Sequence, residues 1–192
     1  MTAKLVLASG SPRRQQYMTD LGFDYTADPP DIDETPLKNE KPADYVRRVT
    51  VAKAQAAATR HKDAVILAAD TTVCVGRRIL GKPQDANEAA AMLRLMSGRR
   101  HNVLTAVCVI GADGSRHEKL VKTAVKMKPL REKDIAAYVA TPANWQNMAG
   151  GYGLQTTAGG ALAQWVNGSV SGVVGLPLVE TLNLLKGHGF DV

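Results

Sequence analysis

Five short stretches of this sequence hold side chains able to handle a phosphate or a metal. LASGSPRR, residues 7–14, places Ser9, Gly10 and Ser11 ahead of Arg13 and Arg14. A small-residue turn that enters a helix offers free backbone N–H groups and the positive end of the helix dipole to an anion. The two serines add hydroxyl donors, Gly10 lets the backbone approach closely, and the arginines add charge-assisted donors. The same string also reads as a capped helix start with its arginines in solvent. It is not a Walker A loop, which needs Gly-Lys after four spacer residues.

LAADTT, residues 67–72, ends an apolar run on a lone carboxylate, Asp70. In open α/β sheets that end of a strand faces the ligand crevice, so Asp70 could hold a cation, activate water, or do both. An aspartate capping a turn through Thr71 and Thr72 is the plainer alternative. Lys82, in GKP at 81–83, reads alone as a solvated turn lysine. Lys53 lies four residues after Val49, near the inner face of its helix, where a lysine either snorkels or meets an anion. Asp33 and Glu34 are solvated loop acids or, alternatively, a second carboxylate beside a metal. GGYGLQ, residues 150–155, is a surface turn or a close backbone approach to a ligand, with Tyr152 or Gln155 reading a base edge. His61, His101, His117 and His188 show no metal-ligand spacing and read as structural or exposed.

The elements that would position these residues alternate between strand and helix. Residues 4–8 read as a buried strand, and Ser11-Pro12 starts a helix that Gly22 ends. Residues 23–26 suggest a second strand before the acidic, proline-rich ADPPDIDETP loop. Pro42 opens a helix to about residue 60, and 64–69 reads as a buried strand ending at Asp70. A hairpin through GRR follows. Asp85 with Glu88 forms a capping box for a helix reaching Gly98. Residues 101–110 and 118–127 pair around Asp-Gly. A short helix near 132–140, a strand near 161–166 and a helix over 177–186 complete an α/β pattern.

Totals narrow the partners. The 192 residues are 45% hydrophobic and 22% charged, with a net charge of +6, which describes an ordinary globular chain favouring anionic partners. Only two Trp, five Tyr and two Phe are present, and basic residues form no block, so nucleic acid is a poor fit. Cys74 and Cys108 sit in apolar segments without metal spacing and read as reduced core thiols. No signal peptide or long apolar span is read, and the expected location is the cytoplasm.

Taken in order, SGSPRR, the Glu34 loop, the AKA segment at Lys53, ADT, GKP, AGGYGLQ and VVGLPLVET resemble the Maf family of nucleoside triphosphate pyrophosphatases. The resemblance spans almost the whole chain. It implies a mixed, twisted α/β sheet with two lobes around a central cleft, related to the inosine triphosphatase fold, with residues 1–192 as a single bilobed domain that is often dimeric. It further implies metal-dependent hydrolysis of a nucleoside triphosphate to monophosphate and pyrophosphate, with Mg²⁺ as the first choice of cation and Mn²⁺ the second. By the same resemblance Asp70 accepts the proton from water, and Glu34 with Asp70 holds the metal. Ser9, Ser11, Arg13, Arg14, Lys53 and Lys82 meet the triphosphate. Arg13, Thr71 and Gln155 match the branch acting on dTTP and UTP, whereas a branch similar to 7-methyl-GTP pyrophosphatases has Trp and Gln at positions 13 and 71. No nucleic acid or membrane partner is implied.

Three positions depart from the family pattern: Met148 stands where Lys is usual, and Val170 and Gly172 replace Tyr and Asn. Two other classes share parts of the pattern. A nucleotide-responsive regulator of septum formation would bind nucleotide without product, and a sugar nucleotidyltransferase would require a sugar phosphate.

Overall fold

In the computed structural model, which describes residues 4–190, strands and helices alternate along the chain. The order is β1 (Lys4–Leu7), α1 (Pro12–Asp20), β2 (Thr26–Ala27), α2 (Pro42–Arg60), β3 (Ala64–Val75), β4 (Arg78–Leu80), α3 (Ala86–Met96) and β5 (Arg100–Ile110). Then follow β6 (Arg116–Met127), α4 (Glu132–Val139), α5 (Thr157–Gly160), β7 (Ala163–Asn167), α6 (Val170–Val174) and α7 (Leu178–Lys186). Hydrogen bonding orders the strands β2-β1-β3-β5-β6-β7, with β4 paired to β3. β1 runs parallel to β2 and β3, whereas β4 and β7 pair antiparallel with β3 and β6. The sheet is therefore mixed, as the family resemblance implies.

Two compact units share the chain. The first runs to Asp70 and adds Thr105–Val121 and the chain from Gly175 onward. Its β3 residues alternate between two apolar clusters: Val65, Leu67 and Ala69 join one with Leu7 and Met18, while Ile66 and Ala68 join another with Val6 and Ala54. Burial on both faces explains why this strand reads as a continuous apolar run. The second unit comprises Thr71–Leu104 and Lys122–Val174. Its core gathers Val73, Leu93, Met96, Val125, Ile135 and Trp145 around α3 and α4.

Several elements differ from the sequence expectation. The strand expected over 23–26 shrinks to Thr26–Ala27, because Phe23 and Tyr25 pack on the core and the Tyr25 hydroxyl donates to the Gln15 carbonyl. β3 does not stop at Ala69 but carries Asp70 and Thr71 within it. Ser11 is the N-cap of α1 by position, yet its side chain makes no capping bond. At α3 Asp85 accepts from the Glu88 amide, but the Glu88 carboxylate reaches the Gln84 amide instead of closing a reciprocal box on Asp85. Pro177 is the N-cap of α7 and not its first turn, and the short α6 was not anticipated.

Candidate active site

In the first unit, the turn between β1 and α1 is organised by Arg14. This arginine is buried; its Nη1 donates to Ser9 Oγ at 3.0 Å and its Nε to the Gly175 carbonyl at 2.7 Å. Ser9 Oγ also accepts from the Ser11 amide at 3.2 Å, leaving the hydroxyl proton as the group that can donate to an anion. Burial lowers the Arg14 pKa, Asp70 and Glu34 oppose that effect, and Arg13 reinforces it. Burial lowers the half-buried Arg13 as well. A guanidinium starts so high that both stay charged. The SGSPRR and VVGLP motifs are thus tied by one side chain.

Lys53 belongs to the buried stripe of α2 that includes Val46, Val49, Thr50 and Ala57, the helical spacing of an inner face. Its Nζ lies 2.8 Å from Asp70 Oδ1 and 2.9 Å from Glu34 Oε1. Lys53 therefore meets an anion pair and does not snorkel. Asp70 is within a strand and buried, so the turn-capping alternative does not apply.

The acidic loop that carries Glu34 is held by α2. Arg48 forks onto Glu40 at 2.7 and 2.8 Å and donates to the Thr35 carbonyl at 3.0 Å. Glu40 also accepts from the Leu37 amide, and Arg48 holds its carboxyl down at about 2. Asp33 accepts from the Thr35 amide at 2.8 Å and serves the turn. Tyr45 is a site neighbour that was not among the candidate residues. Burial, then Asp70 and Glu34, push its phenol up to about 12. Its position two helical turns before Lys53 was the available signal, since residues so spaced share a face.

Thr71, Lys82 and Gln155 lie in the second unit. Thr71 continues β3 and is half-buried; Lys82 is exposed in the turn after β4. The Gly150 amide donates to the Gly81 carbonyl, tying the Gly-rich segment to that turn. Gly150 has φ of 72° and a Cβ there would meet Val73 at 2.9 Å, so only glycine fits. The segment is packed, not a surface turn: Gly150 to Gly153 are buried. Tyr152 does not read a base, because its ring is in the core and its hydroxyl lies 2.8 Å from His101 Nε2. Gln155 is exposed. Its amide nitrogen and the Met148 sulfur would lie 2.7 and 2.5 Å from a Cβ on Gly153.

His101 is buried, and burial pushes its imidazole down to about 4 from 6.5. A depressed histidine favours the folded state when neutral, so that stability is lost as pH falls from the unfolded value towards the folded one. The expected loss attributable to His101 between pH 6.5 and 4 is about 3 kcal/mol. Chemical unfolding across that range should show a steeper acid slope for wild type than for His101→Gln; equal slopes would refute it.

Among the described residues no group of three or more His, Cys, Asp or Glu could hold a metal. Asp70 and Glu34 nevertheless converge on one cation, the Lys53 ammonium. Two carboxylates suit a hard divalent ion that keeps waters and takes its remaining oxygens from a phosphate. The residues fit such an ion.

A family model described as Maf-like protein matches residues 4–188. The chain belongs to the Maf family. This Maf chain is 46% identical over 199 residues to a dTTP/UTP pyrophosphatase of Rhizobium meliloti (strain 1021), covering 100% of this chain and 96% of the relative. A dTTP/UTP pyrophosphatase of Ruegeria sp. (strain TM1040) is 50% identical over 190 residues, or 97% of this Maf chain and 95% of the relative. Among solved structures, a HAM1 protein from Coxiella burnetii has a TM-score of 0.54 at 16% identity, covering 96% of this chain and 99% of its own. That likeness concerns the fold alone. No helix among the described residues is long and apolar enough to cross a membrane.

Proposed function

We propose that this Maf protein hydrolyses dTTP and UTP to the monophosphate and pyrophosphate, clearing such nucleotides and their modified relatives from a cytoplasmic pool. The observation that carries the reading is the buried Asp70–Lys53 pair joined by the exposed Glu34, in the unit that also holds Ser9 and Arg14. Relatives at 46% and 50% identity with the names given above support the substrate class.

In this reading water attacks the α-phosphorus and the bond to the α–β bridging oxygen breaks, releasing pyrophosphate. Asp70 takes the proton from the attacking water, and Lys53 fixes that carboxylate by its 2.8 Å contact. Arg13, Ser9 and Ser11 meet the phosphates; Arg14 supplies buried charge and holds their turn in shape. A divalent cation held by Glu34 and Asp70, Mg²⁺ first, supplies Lewis-acid charge to phosphate oxygens when bound. The roles given to Thr71, Lys82 and Gln155, namely base reading for the first and last and a further phosphate contact for Lys82, rest on the family resemblance of their motifs. Action as a homodimer on free nucleotides, with residues 1–192 as one functional domain, belongs to the same proposal.

A panel of canonical and modified triphosphates with Mg²⁺ or Mn²⁺ tests this directly. Pyrophosphate, not orthophosphate, should appear, fastest from dTTP or UTP. Folded protein that stays silent across the panel overturns the reading, and nucleotide binding without product would favour a regulator.

A further inference from the structure

We infer that His101 and Tyr152 form a positioning pair that sets the Gln155 amide and so controls base selectivity. This rests on the reading above that Gln155 meets the base. Neither side chain is assigned a role by the proposed chemistry, yet both are buried polar groups, exposed by 1% and 5% respectively. Their rings meet edge to face, 5.5 Å between centroids at 90°, with the hydroxyl 2.8 Å from Nε2. The other ring nitrogen, His101 Nδ1, has no hydrogen-bond partner among the described residues. Among the described residues Tyr152 is therefore the sole polar partner of this imidazole. Burying an imidazole with one nitrogen unsatisfied is costly, so the contact that remains is an anchor and not one member of a redundant network.

What the pair anchors is short. His101 lies on β5, and Tyr152 closes the 3₁₀ turn Ala149–Gly151. The Gly153 carbonyl accepts from the Thr156 amide at 3.1 Å and from Thr156 Oγ1 at 3.0 Å. Gln155 lies between these ties and folds its amide over Gly153, with the Met148 sulfur beside it. Two residues, Gly153 and Leu154, separate the buried hydroxyl from the exposed amide, leaving little slack for a shift at Tyr152 to be absorbed before Gln155. A displacement of about 1 Å in a positioned group is enough to cost substantial activity.

Tyr152→Phe keeps the ring and removes the hydroxyl. In pyrophosphate-release assays KM for UTP should rise about tenfold, kcat should stay within about twofold, and preference for UTP over ATP should fall. His101→Leu should repeat that signature, and His101→Gln, which retains a donor and an acceptor, should recover most of the wild-type KM. In a Gln155→Ala background, Tyr152→Phe should add nothing. An active Tyr152→Phe enzyme with wild-type KM and selectivity overturns the inference, as does full additivity with Gln155→Ala or equal failure of His101→Gln and His101→Leu. Should Tyr152→Phe melt below assay temperature, the two His101 variants decide. Failure of the functional reading looks different: wild type releases no pyrophosphate, or Gln155→Ala alone leaves KM and selectivity unchanged.

Discussion

Asp70→Asn should lower pyrophosphate release by about a thousandfold, the scale of losing a positioned proton acceptor. The substitution is nearly isosteric and keeps an oxygen facing Lys53, so the buried contact at 2.8 Å is preserved in shape while its charge is lost. Nucleotide affinity should hold or improve, because one negative charge near an incoming triphosphate disappears. Calorimetry with UTP alongside turnover separates the two effects. Unchanged turnover would remove Asp70 from the chemistry, whereas parallel loss of binding and turnover would make it a binding group.

Lys53→Met should be damaging in two ways. The ammonium neutralises Asp70, whose side chain is 11% exposed, and Glu34, whose side chain is 45% exposed. Removing one partner of a buried ion pair strands the other, at a cost of about 3 kcal/mol. For a chain of this length that corresponds to a fall in Tm of about 10 °C. Catalysis should drop by about a hundredfold to a thousandfold, as for loss of a preorganised charge. Lys53→Arg is no conservative rescue, since a planar fork cannot replace a compact ammonium between two carboxylates. A Lys53→Met protein with wild-type melting and turnover would show that the contact carries neither role.

Local pattern made much of this protein legible. Pro42 and the spacing of Val46, Val49 and Lys53 marked α2 and its inner face. Ser11-Pro12 and the Asp85 cap marked the starts of α1 and α3. What local pattern could not carry was pairing across the chain. β3 continues through Asp70 with Lys53 of α2, seventeen residues earlier, supplying the opposing charge. Arg14 reads as a phosphate ligand from its motif, yet its Nε is committed to Gly175, 161 residues away. His101 shows no metal spacing and reads as structural or exposed; it is buried, and its partner, Tyr152, sits in a glycine-rich string that reads as a surface turn or a backbone approach to a ligand. Tyr152 is buried because its hydroxyl finds a partner on β5, information that no window around residue 152 contains.

The ends of the sheet carry a consequence of another kind. An outermost strand with free N–H and C=O groups can template pairing with a second chain and begin aggregation. At one margin β2 offers only Thr26–Ala27, too short a ledge for another strand to grip. At the other, β7 has an irregular register against β6 between Lys126 and Met127, and the Arg100 guanidinium covers the half-exposed Trp165 ring at 5.0 Å. Brevity protects one edge; a break in register and a charged cover protect the other. Together with a net charge of +6, these features give the folded chain colloidal stability and discourage edge-to-edge polymerisation at high concentration.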